Sequence, residues 1–203
     1  MDSQKKRDRL EELRELDLTF FHEAGHAVAG YLTGRRIRAI EILEDGKNWG
    51  ACHYAPPRWT PQVVTERWRR EVIIRSLSGP VAECIREDRS DTLAEFEARR
   101  PEMAKPATAG DEYQSDIVTA RAAATPWGWD VARDFAVICD AHEEAAYLEW
   151  LWIRTRSMLV RYWPAVERLV GELQWGDPIP GRLAHRVIRE AMKPSAAKAG
   201  GRG

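Results

Sequence analysis

The sequence predicts a mainly α-helical domain carrying one small β-ribbon, and three observations predict it. Apolar residues recur at helical spacing over most of the chain, a single stretch near residues 36–55 alternates with a period of two, and no internal repeat suggests a solenoid or propeller. The composition fits one globular domain: 203 residues, 44% hydrophobic and 31% charged, close to ordinary globular usage. Thirty-one basic residues against 32 acidic ones leave a formal charge of −1. No global field therefore draws the protein onto nucleic acid or anionic lipid, and no nucleic-acid partner is expected. Three cysteines, none in a CxxC pattern, argue against a disulfide scaffold and suit a reducing compartment. The charged N-terminus lacks an apolar signal core, and no run of about 18 apolar residues occurs. The expectation is a soluble, cytoplasmic protein without a membrane span. Most of its nine tryptophans are expected in the core or in grooves.

The elements follow in order. Residues 1–16 read as a charged helical extension with Leu10, Leu13 and Leu16 as a thin apolar stripe. The domain proper is expected over 17–192, and 193–203 as a flexible tail. A strong helix starts near Asp17 or Thr19, either of which would cap it, and stops at Gly34. Arg36–Leu43 alternates as a strand, Glu44–Asn48 turns, and Gly50–Ala55 forms a second strand ending at Pro56-Pro57. Helical spacing resumes over 61–77, where Ser78-Gly79-Pro80 interrupts it and Pro80 restarts a helix. Residues 86–109 read as a long surface loop with at most a short helix. Helices follow at about 113–124, 131–163, 164–173 and 182–192, with a turn at 177–181.

One pattern carries chemistry. His22-Glu23-Ala24-Gly25-His26 has the spacing HExxH inside a helix. One turn of helix puts both imidazoles on one face, about 6 Å apart along the axis, where they can bind one zinc ion. Glu23, next to the first ligand, is placed to act as general base on a water. Gly25 breaks a local rule, since glycine costs about 1 kcal/mol in a helix interior. Close approach of another element explains it. A third ligand is needed from elsewhere in the chain, and Glu83, His53, Asp111, Glu112 and Asp116 are the candidates. Gly50, Ala51, Cys52 and His53 lie on the second strand, whose edge would pair with an extended peptide, and His53 would help to stabilise an oxyanion. Cys52 and Cys84 read as packing residues. The basic clusters Arg67-Trp68-Arg69-Arg70 and Arg35-Arg36-Arg38 read as solvated faces.

FFHEAGHAVAGYLTG resembles the catalytic helix of the FtsH-type zinc peptidases. LSGPVAECI at 77–85, QSDIVTARA at 114–122, Trp127-Gly128 and the final helices resemble later segments of that family in the same order. The resemblance implies a zinc ion on His22, His26 and Asp116, with Glu23 as the base. Asp116 would also sit well at the start of a helix. The distance from Asp116 to Trp127 is about one helical turn shorter than in the family; anchoring on Trp127 would move the ligand to Glu112 or Asp111. Pro80 and Cys84 replace the usual arginine and second glutamate. No GxxxxGK[ST] loop is present, so ATP-driven unfolding is not encoded in this chain. The implied activity is zinc-dependent endopeptidase cleavage of flexible or unfolded polypeptides, with a separate ATPase or adaptor as a further partner. The alternative is a non-catalytic interaction or regulatory protein in which zinc is a structural staple. The oligomeric state is left open.

Overall fold

A computed structural model describes residues 3–43, 49–56, 66–104, 116–124 and 141–193. Among these, seven α-helices and three short strands form the mainly helical fold expected: α1 Ser3–Leu32, β1 Ile37–Leu43, β2 Trp49–Tyr54, α2 Glu66–Arg86, α3 Leu93–Arg99, α4 Asp116–Ala124, α5 Ala141–Arg161, α6 Trp163–Leu173, β3 Ile179–Pro180 and α7 Gly181–Ala191. A 3₁₀ turn, Pro101–Ala104, follows α3. No described helix is long and apolar enough to cross a membrane.

The first helix is longer than the sequence suggested. Asp17 and Thr19 do not open it: Thr19 Oγ1 donates back to the Glu15 carbonyl at 2.9 Å, and Asp17 accepts from Arg86 of α2 at 2.7 Å. Residues 3–16 are thus the first half of α1. They are held by charge more than by burial. Arg14 pairs with Glu87 and Glu15 with Arg100, while Leu10 and Leu13 stay exposed. The stop at Gly34 is as expected. Gly34 has φ of +74°, and Arg35 N–H reaches back to the Gly30 carbonyl at 2.8 Å, the closing bond of a helix-ending motif that favours glycine.

The ribbon β1–β2 is antiparallel, with Ile40 opposite Cys52 and Leu43 opposite Trp49. Strict alternation would put Ile37 and Ile40 on opposite faces, yet both are buried. An irregularity between Ile37 and Ala39 inserts an extra residue and turns both isoleucines inward. The expected turn at 177–181 contains a third strand, β3, pairing Ile179 with Ile40 and Pro180 with Ala39, so the order is β2-β1-β3. A two-residue strand holding a proline has no period to read.

Helix α2 runs through the core against α1, α4 and α5. Its Ile73, Leu77 and Val81 are fully buried, as are Leu148, Leu151 and Trp152 of α5. Pro80 does not restart this helix but lies buried inside it. Proline removes only the bond to the Ser76 carbonyl, and packing on both sides holds the helix through the gap. Phe21 stacks on Trp163 at 5.4 Å, tying α1 to α6. Trp152 is buried and donates to the Asp91 carbonyl, and Trp68 and Trp163 are half-buried, while Trp150 and Trp175 are exposed.

Candidate metal centre

The site is assembled from three helices and one strand. His22 and His26 stand one turn apart on α1, with their Nε2 atoms 3.0 Å from each other. Asp116 opens α4 and presents one oxygen, Oδ2, to both: 2.9 Å from His22 Nε2 and 3.0 Å from His26 Nε2. These three residues form a group able to hold a metal ion.

The outer sides of both rings are committed. His22 Nδ1 lies 2.6 Å from Glu83 Oε1, and His26 Nδ1 lies 2.7 Å from the Arg75 carbonyl. A carbonyl can only accept, so His26 Nδ1 donates; the Glu83 carboxylate imposes the same on His22. Both Nε2 lone pairs are thereby left for the inner side, the arrangement that orients histidines as metal ligands. Ser78 Oγ, itself donating to the Arg75 carbonyl at 2.6 Å, adds a contact to His26 Nδ1 at 3.3 Å. Tyr54 Oη donates to the His26 carbonyl at 2.6 Å, fixing α1 to β2.

Two glycines make the geometry possible. A Cβ on Gly25 would lie 2.5 Å from the Ser78 carbonyl and 2.8 Å from Ala82 Cβ, so α1 and α2 cross with backbone nearly touching. That is the close approach the sequence suggested for Gly25. On the facing helix, a Cβ on Gly79 would lie 2.5 Å from Nε2 of both histidines. Sequence reading missed Gly79 because it took Ser78-Gly79-Pro80 for a helix break. The signal was available, since Gly79 breaks the same local rule as Gly25.

Burial and charge oppose each other here. Burial acts to lower the histidine pKa values, but Asp116 and Glu83 outweigh it at His22, and Asp116 does so at His26, so both are raised. Burial acts to raise Asp116, but the two histidines hold its carboxyl well below the usual carboxylate range. Glu23, 5% exposed, is raised chiefly by burial and only partly restrained by His22 and His26. Its side chain lies against Gly50 of β2, where no Cβ would fit.

His22, Glu23, His26 and Asp116 are thus brought together, with Gly50 beside them. Ala51, Cys52 and His53 continue along β2. His53 turns to Glu41 Oε1 at 2.5 Å and Glu83 lies behind His22, so neither joins the metal-facing group. Asp111, Glu112 and Trp127-Gly128 lie outside the described residues. Burial raises the Cys52 thiol far above its usual value and Cys84 to about 12, which leaves both as packing groups.

A family model described as Peptidase M50B-like matches residues 9–67, from the first half of α1 to the start of α2. The match supports a metallopeptidase family and does not single out the FtsH type. No curated protein matches the chain.

Proposed function

We propose that this protein is a zinc-dependent endopeptidase of the FtsH type, acting on flexible or unfolded polypeptides. The observation that carries the reading is the convergence of His22 Nε2, His26 Nε2 and Asp116 Oδ2 within 3.0 Å, backed by Glu83 on the outer nitrogen of His22. Two imidazoles and one carboxylate are a donor set suited to zinc, and the three ligands found among the described residues match a catalytic set that keeps a position for chemistry. A bound divalent ion would supply charge to polarise a peptide carbonyl and to acidify water.

The chain's own residues do the rest. Glu23 accepts a proton at its carboxylate from the attacking water and passes it to the leaving amine. Its raised pKa makes the carboxylate a stronger base towards that water. Glu83 and the Arg75 carbonyl hold the two rings in the required tautomer. Among the described residues β2 is an edge strand of its sheet, and Gly50 brings its backbone against Glu23. An extended substrate segment would pair along Gly50, Ala51, Cys52 and His53, which sets its peptide bond beside the base. Pairing along a strand edge takes only chain that is already extended, so delivery by a separate ATPase or adaptor fits the same reading.

The test is Glu23→Gln, assayed with zinc on a labelled unfolded polypeptide such as reduced, denatured casein. Zinc should stay bound with unchanged stoichiometry, and cleavage should fall by at least about a hundredfold. Cleavage at the wild-type rate removes Glu23 as the base. Zinc binding by the wild type with no cleavage of any unfolded substrate would favour a structural zinc in an interaction protein.

A further inference from the structure

On the far side of β1 from β2, the strand and α7 line a cavity of about 630 Å³. Among the described residues its lining includes Arg36, Arg38, Arg182, His185, Arg186 and Arg189, and no acidic residue. Among the described residues, none of these five arginines forms an ion pair. Elsewhere the chain pairs arginines closely, as at Arg86 with Asp17, Arg99 with Asp91 and Arg121 with Glu97.

This concentration of charge runs against the ordinary rules for stability. Arg182 sits in the first turn of α7, at the positive end of the helix dipole, and no acidic residue occupies that turn. Arg182 and Arg186 are like charges one turn apart. His185, lowered first by its burial, is lowered further by Arg36 and Arg189. The wall itself is firmly built. His185 Nε2 accepts from Ile37 N–H at 3.2 Å, its ring meets Tyr31 edge-on at 5.3 Å, and Gly181 packs on the Ile37 carbonyl with no room for a Cβ. A rigid wall whose guanidinium groups find no carboxylate among the described residues, on a chain of net charge −1, is a local departure that calls for a counter-charge.

We propose that this cavity binds a small ligand bearing adjacent phosphate groups, an inorganic oligophosphate or the polyphosphate tail of a nucleotide. Guanidinium forks match phosphate oxygens in pairs, and the volume lies within the range of small-ligand pockets. Nucleic acid calls for an extended basic stripe on a basic domain, whereas here the charge is gathered into one recess. A membrane surface calls for an apolar anchor, and Ile37, the large apolar residue of the lining, is 2% exposed.

The experiment is calorimetric titration of the full chain with inorganic tripolyphosphate at low salt, run beside the same titration with ATP. Saturable one-to-one binding is expected, weakening as salt is raised. The double variant R182E/R186E should weaken it by at least about tenfold; both residues are exposed and the change relieves like-charge repulsion, so the ligand-free melting temperature should not fall. Arg189→Gln, a milder change, should weaken it less. Equal affinity for the two probes assigns recognition to the phosphates, and tighter ATP binding adds the nucleoside; either supports the proposal. Absence of binding, or binding unchanged in the double variant, overturns it. So does tighter binding of a single-stranded oligonucleotide or of phosphatidylserine vesicles that is lost in the same variant.

Discussion

At the scale of single residues, the candidate site depends as much on what is missing as on what is present. Gly79 has no side chain where one would lie 2.5 Å from both Nε2 atoms. Gly79→Ala is therefore expected to abolish metal binding while the helix itself gains propensity of about 1 kcal/mol. Retained one-to-one zinc binding by the alanine variant would show that the rings are free to shift. Glu83 works from the other side. Glu83→Gln keeps the shape but weakens the acceptor for His22 Nδ1, so zinc affinity should fall about 10- to 100-fold, measured by competition with a chelator. The pairing of the two histidines could be read from the sequence, because spacing on one helix is a local property; Asp116, on a different helix, was singled out only through the family resemblance. Glu83 was visible but its partner was not. A contact between residues 22 and 83 depends on how two helices cross, which no local pattern encodes.

At the scale of elements, helix ends show how local chemistry and tertiary demand divide the work. Gly34 ends α1 with a positive φ, as its sequence position implies. Helix α2 ends in the same way at Asp88, whose φ is +54°, with Arg89 N–H on the Cys84 carbonyl at 2.8 Å. Aspartate tolerates this conformation less well than glycine and also puts negative charge at the negative end of the helix. Asp88→Gly should raise stability by about 0.5–1 kcal/mol, read from urea unfolding. A loss of stability would mean that the Asp88 carboxylate has a favourable role of its own. The β1–β2 ribbon was legible from alternation and from its terminal prolines. The inward turn of both Ile37 and Ile40 was not, because a bulge is fixed by the partner strand. The same holds for β3, and for α1, where the charge pairs Arg14–Glu87 and Asp17–Arg86 carry the helix past residues that would otherwise cap it.

At the scale of the molecule, the buried His–Asp cluster ties stability to pH, and a metal should reverse the dependence. Without metal, His22 and His26 have folded pKa values raised above their ordinary 6.5. A raised folded pKa contributes stability that is fully present below the unfolded value and is lost as pH rises through the folded one. Asp116 is depressed, so its contribution is present above the ordinary carboxylate range and is lost only in stronger acid. The metal-free protein should therefore be most stable in the mildly acidic range and weaken as the pH rises past neutrality. Metal binding needs neutral imidazoles and competes with those protons. Its stabilisation, about 4 kcal/mol at a thousand times Kd, should grow as pH rises. Melting temperatures with EDTA and with zinc, taken from pH 5.5 to 8.5, should accordingly diverge with increasing pH. A gap that does not change with pH would mean that zinc binds somewhere other than the nitrogens now held by Asp116.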